Sequence, residues 1–384
     1  MNDISLEEKI SKDNLSEEQR AVLAKKYSKT NQILSVAETL IFFAVILILL
    51  FTGLSLKIES IAFGFTSSSY IALLIFFGII GVGEGLITFP MGFYSDYILE
   101  HKYDLSNQTL SGYFIEKLKG FSLGIILGIP LMFAFYYILQ TFGENWWLVL
   151  GIFMFIVSVI IGRLAPTLLM PIFYKFKPIE DESLKNRILD LCQKAGVKIN
   201  GIFTFDMSKN TKKANAAFTG MGKSKRIILG DTLISNFTED EIEMVFAHEM
   251  GHYTKKHILK MMVTSTILTF AGLFITAKLY EASLGYFGFE SVSQIAALPL
   301  LFLYLSLYGL ITTPISNIQS RKFEWEADTY ALETTKDKAS FISAMEKLAG
   351  QNLSDKSPNK IIEYLFHSHP SIEKRIQFAK DFTF

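Results

Sequence analysis

Thr39-Leu-Ile-Phe-Phe-Ala-Val-Ile-Leu-Ile-Leu-Leu-Phe-Thr-Gly-Leu-Ser-Leu56 runs for eighteen residues without a charge. A bilayer core takes about 17–25 mostly apolar residues per helix. Five further uncharged stretches reach that length: Ser60 to Gly83, Gly120 to Gly143, Asn145 to Gly162, Met261 to Ala277, and Ser291 to about Pro314. Backbone groups in lipid must bond within their own segment, so these stretches read as helices, not strands. Six such runs exceed what one soluble core would bury. The expectation is a mostly α, polytopic membrane protein with about six spans.

Composition agrees. Half of the 384 residues are hydrophobic, 19% are charged and 34 are Phe; soluble domains carry roughly 25% charged residues. The formal net charge of zero gives no basic surface for nucleic acid, so none is expected as a partner. The single cysteine, Cys192, excludes a disulfide framework and any Cys-rich metal site. The N-terminal segment, residues 1–37, starts with charge and no apolar core, unlike a cleavable signal, and is expected to be retained.

The rest divides by polarity. Four spans fill residues 38–164, interrupted by a charged connector at 94–119; a polar region covers 165–260; two spans follow at 261–315; a polar end covers 316–384. Positive charge marks one side: Lys25, Lys26, Lys29, Lys102, Lys117, Lys119, Arg163, Lys175, Lys177, Arg321 and Lys322 all flank the same set of span ends. With an even number of spans, both termini and both polar regions are expected in the cytoplasm.

In the first polar region, residues 248–252 read His-Glu-Met-Gly-His. Thr238 and Glu241 form a capping-box pattern, and Ile242, Val245 and Phe246 follow with helical period. Histidines four apart on a helix face one way, where both imidazoles can reach one ion. Glu249, about 100° around the helix, sits beside that ion, suited to be the catalytic base of a zinc peptidase. His257 projects about 180° from His248 on a continuous helix and reads as structural.

Catalytic zinc needs a third protein ligand and an open position. Residue 258, where one protease class has a histidine, is Ile258. The best candidate lies in Ser320-Arg-Lys-Phe-Glu-Trp-Glu-Ala-Asp328, directly after the sixth span. Glu324 and Asp328 share a helical face, suiting a ligand and a partner that orients a histidine. Glu326 points to the other side and reads as a solvated charge.

These blocks resemble the type I CAAX prenyl endopeptidase family, membrane-embedded zinc proteases. The resemblance extends to Phe93-Tyr94 and Glu100 through Thr109, to Ala165-Pro166 with Pro171 through Pro178, to Asn215-Ala-Ala-Phe218 with Lys225 through Leu229 and Asp231-Thr-Leu, and to His367-Ser-His-Pro370 with Arg375. It implies a cytoplasmic zinc-protease domain with a small β-sheet, one Zn2+ per chain on His248, His252 and Glu324, and Asp328 as the supporting carboxylate. It implies that Asn215 and Ala216 hold substrate backbone as an added strand, that His369 stabilises the oxyanion, and that Arg375 supports it or the ligand carboxylate. From the sequence alone, His369 before Pro370 reads equally as a turn residue. The resemblance also implies helices around a water-filled intramembrane chamber, which would house Glu84 in the second span.

Two departures stand out. Eukaryotic members have seven spans and this chain matches six of them, and the long acidic insertion of some members is absent. A compact, prokaryotic inner-membrane protein is expected, acting on peptide or protein substrates, prenylated or membrane-associated. A membrane-protein quality-control protease and a non-catalytic scaffold or transporter are the competing readings.

Overall fold

The computed structural model describes residues 16–219 and 226–384; the start of the polar N-terminal segment and Lys225 lie outside the described residues. The helices are α1 Glu17–Phe51, α2 Leu54–Phe65, α3 Ser69–Phe93, α4 Glu100–Lys102, α5 Leu110–Thr141, α6 Trp146–Leu164, α7 Met170–Phe173, α8 Glu182–Lys194, α9 Asp231–Asn236, α10 Glu239–Thr254, α11 His257–Ser283, α12 Leu298–Thr335, α13 Lys338–Gln351, α14 Lys360–Phe366 and α15 Ile372–Asp381. Six helical stretches are long and apolar enough to cross a membrane: Glu17–Phe51, Ser69–Lys102, Leu110–Thr141, Gly143–Phe173, His257–Phe287 and Ile295–Thr335. At most 39% of any of their apolar windows is buried within the protein. The remaining apolar faces need lipid as solvent.

The first two spans differ from the sequence expectation. α1 ends at Phe51, Gly53 turns the chain with φ +67°, and α2 forms a separate twelve-residue helix before α3 begins at Ser69. A left-handed conformation costs glycine almost nothing, so Gly53 ends α1 where hydropathy alone carries it on to Leu56. α2 carries Lys57 and Glu59; Glu59 accepts hydrogen bonds from Gln294 Nε2 (2.9 Å) and the Ala296 amide (3.1 Å), which ties α2 to the start of α12.

Two apolar cores result. One joins the spans through Leu49, Ala62, Phe76, Leu139, Trp146, Tyr280 and Leu300. The other lies under the polar regions, through Ile188, Leu229, Phe246, Ala331, Phe341 and Ala379. α12 contributes to both, so one 38-residue helix connects them.

The polar region contains a four-stranded mixed sheet of β1 Phe176–Pro178, β2 Ile202–Phe205, β3 Ala216–Thr219 and β4 Arg226–Gly230, in the order β1-β2-β4-β3. β2 and β4 are parallel; β1 and β3 run antiparallel to their neighbours. The central β4 buries Ile227, Ile228 and Leu229, as β-branched and apolar side chains on a two-sided strand should. β3 is an edge strand. The loop before it is clamped to the span connector: Lys212 N donates to Leu105 O (2.8 Å), Lys212 Nζ pairs with Asp104 (2.8 Å), and Lys213 Nζ reaches Glu100 (2.9 Å) and Tyr27 Oη (3.0 Å).

α10 starts at a full capping box: Thr238 Oγ1 accepts from the Glu241 amide, and Glu241 accepts from the Thr238 amide (2.8 Å). Three acidic residues in its first turn complement the helix dipole. Further along, Gly251 lies against α12. A Cβ there would stand 2.9 Å from Ala327 Cα and 3.1 Å from its carbonyl oxygen. The crossing is backbone on backbone.

Gly251→Val is therefore expected to destabilise the protein by about 1–3 kcal/mol, the usual cost of overpacking. The same change at Gly309, where nothing lies within 4 Å, should leave the thermal midpoint in detergent near that of the parent. Equal midpoints for the two variants would contradict a tight crossing.

Candidate metal centre

Because α10 and α12 touch at Gly251 and Ala327, the side chains flanking this contact, His248 and His252 on α10 and Glu324 and Asp328 on α12, face each other. His248 Nε2 and His252 Nε2, from α10, are 3.2 Å apart. Glu324, from α12, places Oε2 3.3 Å from His248 Nε2 and Oε1 3.2 Å from His252 Nε2. Donors bound tetrahedrally at about 2.0–2.1 Å would lie roughly 3.3–3.4 Å from one another, and the two imidazoles stand at such a separation with a Glu324 oxygen at a similar distance from each, a spacing that fits one small ion. The chemistry also fits. Glu324 is 4% exposed and its Oε2 is buried without a hydrogen-bond partner. Leaving such an atom unsatisfied costs about 1–3 kcal/mol or more, a cost that a cation removes.

A second layer fixes the first. His248 Nδ1 lies 2.8 Å from Asp328 Oδ1, and Asp328 is fully buried. Arg375, from α15, grips that carboxylate in a fork, Nε to Oδ2 at 2.8 Å and Nη2 to Oδ1 at 2.6 Å. Burial acts to lower the His248 pKa, but the hydrogen bonds to Asp328 and then Glu324 outweigh it and hold it up at about 9. The pocket is built for positive charge. Glu249, Glu324 and Asp328 all act on Arg375, so three carboxylates surround the place where a divalent cation would sit.

The other sequence candidates take up positions around this cluster. Glu249 is half-buried on α10 between the two histidines. His369 is exposed, with Nε2 3.3 Å from Glu324 Oε1 and Nδ1 2.9 Å from Ser368 Oγ. Ala216 opens the edge strand β3. Asn215, just before it, accepts the Gly230 amide at 2.9 Å with its carbonyl, and its side chain is exposed.

Two expectations fail. The 180° projection of His257 from His248 does not hold, because the chain between them is not one helix: α10 ends at Thr254, and Lys256 turns with φ +57° before α11 begins, although His257 stays outside the three converging residues. His257 Nδ1 comes within 3.0 Å of His252 Nδ1. Glu326 is not a solvated charge either, since its Oε2 lies 2.9 Å from His257 Nε2. A continuous helical projection ignores this break, which no glycine or proline marks in the sequence.

Comparison with known proteins places these elements in a family. The model described as peptidase family M48 matches residues 178–383, and that described as CAAX prenyl protease N-terminal, five membrane helices, matches residues 6–175. The chain is 30% identical to CAAX prenyl protease 1 of Saccharomyces cerevisiae, over 79% of this chain and 71% of that protein. It is 28% identical to the uncharacterized metalloprotease YhfN of Bacillus subtilis, over 93% of this chain and 85% of that one. The crystal structure of S. mikatae Ste24p superposes with a TM-score of 0.82 at 28% identity, covering 98% of this chain and 91% of the other. Six apolar spans, a small mixed sheet and a His-His-Glu cluster thus meet in one chain, an integral-membrane metalloendopeptidase that belongs to peptidase family M48, in its CAAX prenyl protease type.

Proposed function

We propose that this chain hydrolyses peptide bonds at the cytoplasmic membrane face with one zinc ion held by His248, His252 and Glu324. The observation that carries this reading is the convergence of His248, His252 and Glu324, whose Oε2 is buried with no hydrogen-bond partner. Zinc supplies Lewis acidity that polarises the scissile carbonyl and acidifies water. The remaining steps belong to the chain.

Glu249, between the two histidines on α10, takes the proton from the attacking water and hands it to the leaving amine. His369 donates from Nε2 to the developing oxyanion, and Ser368 Oγ at its Nδ1 favours the tautomer with that proton in place. Asp328 and Arg375 keep His248 oriented. Asn215 and Ala216, at the free edge of β3, hold the substrate backbone as an added strand, which tolerates varied side chains.

The substrate class follows from setting and relatives. A site on helices that continue into lipid favours peptides that are themselves membrane-associated, and the CAAX prenyl protease name of the yeast relative favours prenylated tails. The basic span flanks support a cytoplasmic active site. So does the contact of Tyr27, near the N-terminus, with Lys213 of the protease region, which keeps the N-terminal segment and the site on one side. Six spans favour this reading over a quality-control protease.

Purified protein is expected to contain about one zinc per chain by elemental analysis. Glu249→Gln should lose at least about 100-fold in cleavage of a quenched peptide while keeping the metal; full activity in that variant ends the assignment of the base. Glu324→Ala should empty the site. His369→Ala should lower kcat by about 100- to 1,000-fold with zinc content unchanged. Mass spectrometry of products from a peptide library, with and without a prenyl group, tests the substrate class; indifference to the lipid removes prenylation from the proposal.

A further inference from the structure

The line of ring nitrogens does not stop at the three converging donors. His257, 1% exposed, places Nδ1 3.0 Å from His252 Nδ1 and Nε2 2.9 Å from Glu326 Oε2. Its ring stacks on Phe323, with centroids 4.2 Å apart and planes 8° from parallel. Lys260 Nζ stands 3.5 Å from the same Glu326 oxygen.

Proton bookkeeping then fixes the whole chain. His252 turns Nε2 toward Glu324 and His248; if Nε2 binds the ion, its remaining proton must sit on Nδ1. His257 Nδ1 has to accept that proton in a hydrogen bond, which leaves the single proton of neutral His257 on Nε2. That proton points at Glu326, which accepts it. Each donor has one acceptor, and no ring nitrogen is left over.

We propose that His257 and Glu326 are positioning residues for the metal centre: a relayed carboxylate that fixes the tautomer and ring angle of His252 and raises its donor strength. They would do for His252 what Asp328 does directly for His248. The inference rests on the reading that His252 binds the ion. Its geometry depends on the left-handed turn at Lys256, which swings His257 back toward α10. α12 supplies the rest, since Phe323 locks the His257 ring and Glu326 ends the relay on the helix that also carries Glu324.

The test measures zinc affinity and release with a competing chelator, on full-length protein in detergent. His257→Phe keeps a ring that can stack on Phe323 but removes both hydrogen bonds; zinc is expected to bind about 10- to 100-fold more weakly, with a faster release rate. Glu326→Ala, on a partly exposed helical position that should fold normally, is expected to weaken binding in the same direction. Glu326→Gln, which restores an acceptor oxygen, should recover most of the loss. Cobalt(II) loaded in place of zinc should show shifted visible bands in Glu326→Ala, a change that a mere packing defect away from the ligands would not produce. Affinity within twofold of the parent for both His257→Phe and Glu326→Ala overturns the proposal. His252→Ala is the control on the underlying reading: if it too keeps parent affinity, the ligand assignment has failed, and the relay with it.

Discussion

The structure depends on the contact of two helix backbones at Gly251 and Ala327. That contact lets histidines of α10 come within 3.3 Å of a carboxylate more than seventy residues away on α12. A side chain of any size at residue 251 would stand between them. The approach also explains why Glu324 and Asp328 can be buried at all. Isolated carboxylates are expensive to bury, and here each is surrounded by imidazoles and a guanidinium at hydrogen-bonding or ion-pairing distance. Helix crossing and charge network are one construction.

That construction is anchored in lipid. α12 leaves the apolar core as a membrane span and reaches the site without a break, while α10 joins the span α11 through a short turn at Lys255 and Lys256. Both helices facing the ion site are thus tied to spans. Local geometry at the site is held by helical rods whose other ends are fixed by packing against neighbouring spans, in addition to the apolar core under the polar regions.

Much of this was legible in the sequence, for identifiable reasons. Six uncharged runs mark spans because lipid admits few alternatives. Thr238 and Glu241 mark the start of α10 because capping is local chemistry, and the spacing of Glu324 and Asp328 puts both on the face that the structure turns toward α10. What failed were extrapolations through a change of backbone direction. Hydropathy ran on past Gly53 and merged α2 into its neighbours. Helical projection ran on past Lys256 and sent His257 to the wrong side. A lysine in the left-handed region carries no strong sequence signal, whereas a glycine at least suggests one. Arg375 and Asp328, 47 residues apart, could be joined only by three-dimensional packing.

The two histidines differ in how they are held, and the difference follows from their places on α10. His248 lies toward the middle of the helix, deep in the crossing, where Asp328 from the facing helix reaches it directly and Arg375 closes the fork from behind. His252 lies a turn further on, nearly at the helix end, where α12 presents Phe323 and Glu326 instead. No carboxylate on α12 lies within bonding distance of His252 Nδ1 among the described residues, and the imidazole of His257 spans the gap. A relay through a neutral ring transmits orientation well, because both hydrogen bonds are directional, while keeping the negative charge of Glu326 a full ring-width from the ion. The ion site therefore holds the charge of Glu324 and Asp328 at close range and that of Glu326 at arm's length, beside Lys260. A third carboxylate placed directly on His252 would have added negative charge beside Glu324 and Asp328, which Arg375 already pairs with.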